Sequence, residues 1–128
     1  MSYYFNKVVN LSFEDALAKV TGELKKEGFG VLTEIDVKAT LKKKLDLNFR
    51  NYKILGACNP QFAYQALQAE RMIGTMLPCN VIVQSTDDGL TEVAAINPIA
   101  SMQAVENSEL GAVAQSVQQK LKNVIDNV

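Results

Sequence analysis

Pro78-Cys79-Asn80-Val81-Ile82-Val83-Gln84-Ser85-Thr86-Asp87-Asp88-Gly89-Leu90-Thr91-Glu92-Val93-Ala94-Ala95-Ile96 holds two apolar, strand-forming runs around a turn signal. Asp87-Asp88-Gly89 suits a hairpin, because glycine accepts the positive φ that tight turns need. One strand therefore starts within 78–83 and a second returns over 90–96, paired antiparallel. Alternation along 81–84 and 92–96 is imperfect, with apolar residues on both sides of each strand. A sheet backed by helices on one face would then keep apolar groups on the other, which points to a homodimer.

The same reading extends upstream. Residues 3–9 alternate and carry aromatic and β-branched side chains, so they form a strand. Ser12 caps the helix that follows, and Asp15 puts a carboxylate in its positive first turn. Phe13, Ala16, Leu17, Val20 and Leu24 share one face of that helix, which Lys25, Lys26 and Gly28 bring to a stop. Residues 29–35 form a second strand. Asp36 caps a short helix to Leu45, with Val37, Leu41 and Leu45 inward and Lys38, Lys42, Lys43 and Lys44 outward. A third strand, 52–57, leads into Asn59 as cap and Pro60 at the first position of a helix to about Met72. Gly74 breaks it. After the hairpin, Asn97-Pro98 opens a short helix. Ser108 caps a last one with the stripe Leu110, Val113, Ala114, Val117, Leu121, Val124, Ile125 and Val128. The order predicts an α+β domain whose amphipathic helices cover one sheet face.

Composition narrows the functions available. The 128 residues, 48% hydrophobic and 21% charged, suit one domain spanning 1–128. Size scaling gives roughly 6,700 Å² of folded surface against about 20,300 Å² unfolded, enough burial for a core without disulfides or metal. No apolar run approaches the ~18 residues that cross a bilayer. Met1-Ser2-Tyr3-Tyr4 lacks the basic region and apolar core of a signal peptide, so a cytoplasmic location is expected. With 13 basic and 14 acidic residues the net charge is −1, which predicts neither nucleic acid nor membrane as partner. Lys38 and Lys42 to Lys44 read as a solvated face. Histidine is absent, which removes Ser-His-Asp and Cys-His catalysis and histidine zinc sites.

Two segments then stand out: Gly56-Ala57-Cys58-Asn59-Pro60 and Leu77-Pro78-Cys79-Asn80. Each sets a Cys-Asn pair beside a proline at a junction between elements. Cys58 precedes a helix start, where aligned peptide dipoles favour a thiolate. If the third and fourth strands are antiparallel neighbours, the cysteines lie near the same end; if parallel, at opposite ends. Set against a site role, free cysteine is among the most buried residue types and packs as a small hydrophobe.

The run 52–60, with Ala66-Leu67-Gln68-Ala69-Glu70, Ile73-Gly74 and Leu77-Pro78-Cys79-Asn80-Val81, resembles the prokaryotic family known as domain of unknown function 302. Gly28-Phe29-Gly30-Val31 and 36–41 extend the resemblance to nearly the whole chain. It implies a curved, mainly antiparallel sheet backed on one face by helices, similar to the TATA-binding-protein class, and no established activity. It also implies the antiparallel alternative, with Cys58 and Cys79 towards each other. The chain departs from the family pattern at Tyr64-Gln65, where many members have His-Arg, at Arg71, often Pro, and at Asn97, often Asp. These departures weaken any Cys-His metal site or proton relay here.

The remaining signals are weak. Gly28-Phe29-Gly30 lacks the third glycine of a dinucleotide fingerprint, and no Walker-type run exists. Met72, Met76 and Met102 with the thiols would suit Cu(I), but methionines filling core gaps are commoner. Tyr52 and Tyr64 could line a pocket near Cys58. The sequence therefore points to a small bacterial-type, non-enzymatic binding module with no assigned metal or cofactor. Its pocket would lie near Cys58, Asn59, Pro78, Cys79 and Asn80, and asparagine amides with helix-start N–H groups would take a small polar or anionic ligand. The alternative is thiol redox or sulfur transfer, with Cys58 as nucleophile and Cys79 resolving.

Overall fold

The computed structural model describes residues 2–128. Five strands, β1 (Tyr4–Val9), β2 (Gly30–Asp36), β3 (Tyr52–Cys58), β4 (Cys79–Ser85) and β5 (Thr91–Ile96), form one sheet in the order β1-β5-β4-β3-β2. Every neighbouring pair is antiparallel. The helices are α1 (Phe13–Lys26), α2 (Val37–Leu45), α3 (Pro60–Ala69), α4 (Pro98–Ser101) and α5 (Leu110–Asp126). The fold is α+β, as the element order predicts.

The β4–β5 hairpin sits at the centre, with Val81 opposite Ala95 and Val83 opposite Val93. At its turn, Gly89 has φ 80° and donates to the Thr86 carbonyl at 3.3 Å. The Leu90 N–H goes to Thr86 Oγ1 at 3.1 Å. The paired strand therefore starts at Thr91, one residue after the expected Leu90.

Helices α1 and α5 cover one sheet face. Phe13, Ala16, Val20 and Leu24 of α1 and Val117, Leu121, Val124 and Ile125 of α5 share a core with Leu55, Val81, Val83 and Val93. Ser12 Oγ accepts the Asp15 N–H at 3.0 Å, the expected cap. At the other end Gly28 takes φ 84°, while its N–H donates to Lys25 O and that of Phe29 to Leu24 O. This pair of bonds is a Schellman ending and turns the chain directly into β2. Glu23 is buried on α1, which its polarity hid from the sequence reading. Lys26 at 3.0 Å and Lys19 at 3.3 Å hold its carboxyl below the usual range.

Three elements differ from expectation. α2 has no buried residue: Val37 and Leu41 are only half-buried and Leu45 is exposed. It packs on β2 and β3 at the sheet edge, where β2 is the outermost strand, and this leaves its apolar side largely uncovered among the described residues. α3 ends at Ala69 because Glu70 is extended, and Arg71–Met76 continues as a 3₁₀ segment. Ser108 does not cap α5; Glu109 holds that position, and its N–H is taken by Asn107 Oδ1 at 3.0 Å. The folded surface of 7632 Å² exceeds the size-scaling value, consistent with an uncovered α2 and an open second sheet face.

One glycine sets how closely β2, β3 and the entry to β4 approach. A methyl group on Gly56 would stand 2.1 Å from Thr33 Oγ1 and 2.8 Å from Pro78 Cγ. Gly56→Ala is therefore expected to destabilise the protein by about 1–3 kcal/mol, the usual range for forced overpacking. Thermal denaturation would read this as a lowered Tm; an unchanged Tm would show that the contact yields freely.

Candidate functional site

The β3–β4 register puts Ala57 opposite Cys79 and Gly56 opposite Asn80. Cys58 follows Ala57 directly, so both cysteines lie at one end of the sheet, as the antiparallel alternative requires. Both are free thiols and half-buried. They line a cavity of about 300 Å³ between the sheet end and the helices. Phe62, Ala63, Ala66 and Leu67 of α3 form one wall, and Val113, Ala114 and Val117 of α5 form another. Phe29 and Leu32 close the β2 side, with Pro98 and Met102 at the far end.

Four of the five expected site residues line this cavity: Cys58, Asn59, Pro78 and Cys79. Pro78, which follows a cis peptide bond from Leu77, stands against Gly56. Asn80 is not among them. Consecutive strand residues point to opposite faces, and Asn80 lies on the open face with Tyr52, Ile82 and Gln84, in a separate shallow hollow. That separation follows from period-two geometry and could have been read once β4 was assigned. Tyr52 shares the open face, and Tyr64 is exposed on α3, so neither tyrosine lines the cavity.

Asn59 touches the cavity with its polar groups already engaged. Its Oδ1 accepts the Phe62 N–H at 3.5 Å, and its Nδ2 donates to the Glu27 carbonyl at 3.3 Å. The Ala63 N–H goes to the Asn59 carbonyl at 2.9 Å. Pro60 has no N–H. The start of α3 is thus tied to the Schellman ending of α1. Gly28 permits that junction, since a Cβ there would stand 3.0 Å from Asn59 Nδ2.

Burial in this apolar setting pushes the Cys79 thiol up to about 11, with a smaller contribution from nearby Cys58. Cys79 is therefore neutral at physiological pH. The soft donors that share the cavity are the two thiols and the Met102 thioether; Met72 and Met76 are exposed and lie outside it.

The sequence reading did not find most of the wall. Leu32 was hidden because a β-bulge places it. The register passes from Val31 opposite Ala57 to Thr33 opposite Gly56, leaving Leu32 as the extra residue. Val113, Ala114 and Val117 stood within the α5 stripe, but helical spacing does not reveal which members of a stripe face a void.

A family model described as domain of unknown function DUF302 matches residues 5–128. The chain belongs to the DUF302 family. A crystal structure of an uncharacterized conserved DUF302 protein from Bacillus stearothermophilus is similar, with a TM-score of 0.92 and 26% sequence identity. The match covers 99% of this chain and 98% of that one. No curated protein matches the chain.

The raised Cys79 pKa has a kinetic signature. At pH 7 a thiol with a pKa near 11 is thiolate in only about one molecule in 10,000, so iodoacetamide should label it slowly. The rate should climb about tenfold per pH unit towards the pKa. Site-resolved mass spectrometry of the native protein reads this, and a plateau reached below pH 9 would contradict it.

Proposed function

We propose that this DUF302 protein is a small non-enzymatic binding module whose ligand site is the cavity beside the two Cys-Asn motifs. The observation that carries this reading is the cavity itself. Five separate segments contribute to about 300 Å³ of concave, largely apolar wall, at the lower end of small-molecule sites, which span roughly 300–1,000 Å³. The alternative of thiol redox or sulfur transfer draws support from the two thiols sharing that wall. It is weakened by Cys79, which is neutral at physiological pH and poorly suited to form or resolve a mixed disulfide.

Two further parts of the reading concern context. Two free cysteines in one chain suit a reducing compartment, which supports a cytoplasmic location. The open sheet face carries exposed Tyr4, Val8 and Ile35, which supports a homodimer.

Native mass spectrometry tests the reading. Protein incubated with an extract of small molecules from a bacterial cell should gain a non-covalent mass that denaturation releases. Ala63→Phe, which fills the cavity wall, should abolish the gain. A gain that survives denaturation and maps to Cys58 would favour thiol chemistry, and no gain at all would overturn the binding module. The same spectra should show a species of twice the 14.0 kDa chain mass; monomer alone at micromolar concentration would remove the dimer.

A further inference from the structure

Resting on the binding-module reading, we infer that the cavity takes an uncharged, mainly aliphatic molecule of about ten heavy atoms, entering past Leu32 and Leu67. The size follows from the volume. At roughly 30 Å³ per heavy atom, the share of a water molecule in the liquid, about 300 Å³ holds about ten.

The absence of charge follows from the wall. Among the described residues, those lining the cavity include no lysine, arginine, aspartate or glutamate. Asn59 is the one side chain there with an amide, and both ends of that amide are occupied within the protein. The two thiols are weak hydrogen-bonding groups. A carboxylate or phosphate drawn inside would lose its hydration and find no cation, with at most the second Asn59 amide N–H as a donor, which is prohibitive for a full charge. An apolar chain loses nothing and gains contact with Phe29, Phe62 and Met102.

The route in follows from the bulge. Leu32 is 68% exposed although it lines the cavity, and Leu67 across from it on α3 is 45% exposed. Strand bulges re-aim side chains at site edges. Here the extra residue puts a large apolar group at the mouth, where a bound aliphatic chain would cover it.

Titration of the purified protein with octan-1-ol and with octanoate at neutral pH distinguishes the outcomes. Calorimetry should show one octan-1-ol per chain, with octanoate weaker by roughly tenfold or more. Octanoate binding equally well or better would overturn the uncharged class while leaving the binding module in place. Neither binding would overturn this inference, while the extract experiment above decides the binding module separately. Location needs no substitution: with isotope-labelled methionine methyls, octan-1-ol should shift the Met102 resonance and leave Met72 unmoved. A shift at Met72 without one at Met102 would place the site elsewhere and overturn the proposal.

Discussion

The pairing of β3 with β4 through Gly56–Asn80 and Ala57–Cys79 is the constraint from which the site derives. These strands are joined by α3 and the 3₁₀ segment, and they must return to adjacent, antiparallel positions. The return is possible at this spacing only because Gly56 has no side chain between Thr33 and Pro78. Once it is made, the end of β3 and the beginning of β4 lie side by side, and two cysteines 21 positions apart in sequence face one cavity. The same connection swings α3 out from the sheet end. The volume between α3, α5 and the strand ends is therefore a consequence of topology.

A second junction holds the opposite wall. Asn97 is buried and fully used: its N–H donates to Tyr3 O, and its Nδ2 donates to Ser2 O. Its Oδ1 accepts from Ile99 N and from Gln118 Nε2. One side chain thus joins the start of β1, the first turn of α4 and the middle of α5. It fixes where Pro98 and Met102 stand against the cavity. An aspartate, which the family pattern often has here, would lack the amide donor to Ser2 O; asparagine suits this arrangement because it both donates and accepts.

The parts of the fold written as local chemistry were legible: the Ser12 cap, the Asn59-Pro60 helix start, the Gly28 ending and the Gly89 turn. Each depends on neighbours within about four residues, and each stands as read. What depends on distant packing was not legible. Val37, Leu41 and Leu45 have the spacing of an inner face, but spacing does not supply the element that would cover it. Glu23 reads as surface and is buried under two lysine chains. The site was half legible. Cys58, Asn59, Pro78 and Cys79 were singled out from their motifs and line the cavity, whereas Leu32 required knowledge of a bulge, and only the tertiary fold separates Met102 from Met72 and Met76. Asn80 was grouped by adjacency in sequence, although adjacency in a strand means opposite faces.

The expectation of a polar or anionic ligand rested on asparagines and a helix start, and it treated those groups as free. In the folded chain several of them have partners within the protein. Asn59 serves α3 and α1, Asn80 faces away, and the amides of Phe62 and Ala63 have partners. The departure at Tyr64-Gln65 bears little on the cavity, since both residues are exposed on the outer side of α3. A histidine there would also stand outside the wall. What remains at the cavity, among the described residues, is a largely apolar wall without lysine, arginine, aspartate or glutamate, on which burial keeps the Cys79 thiol neutral. Recognition by such a wall would rest on excluding water from apolar surface, so its selectivity would lie in the size and neutrality of what enters.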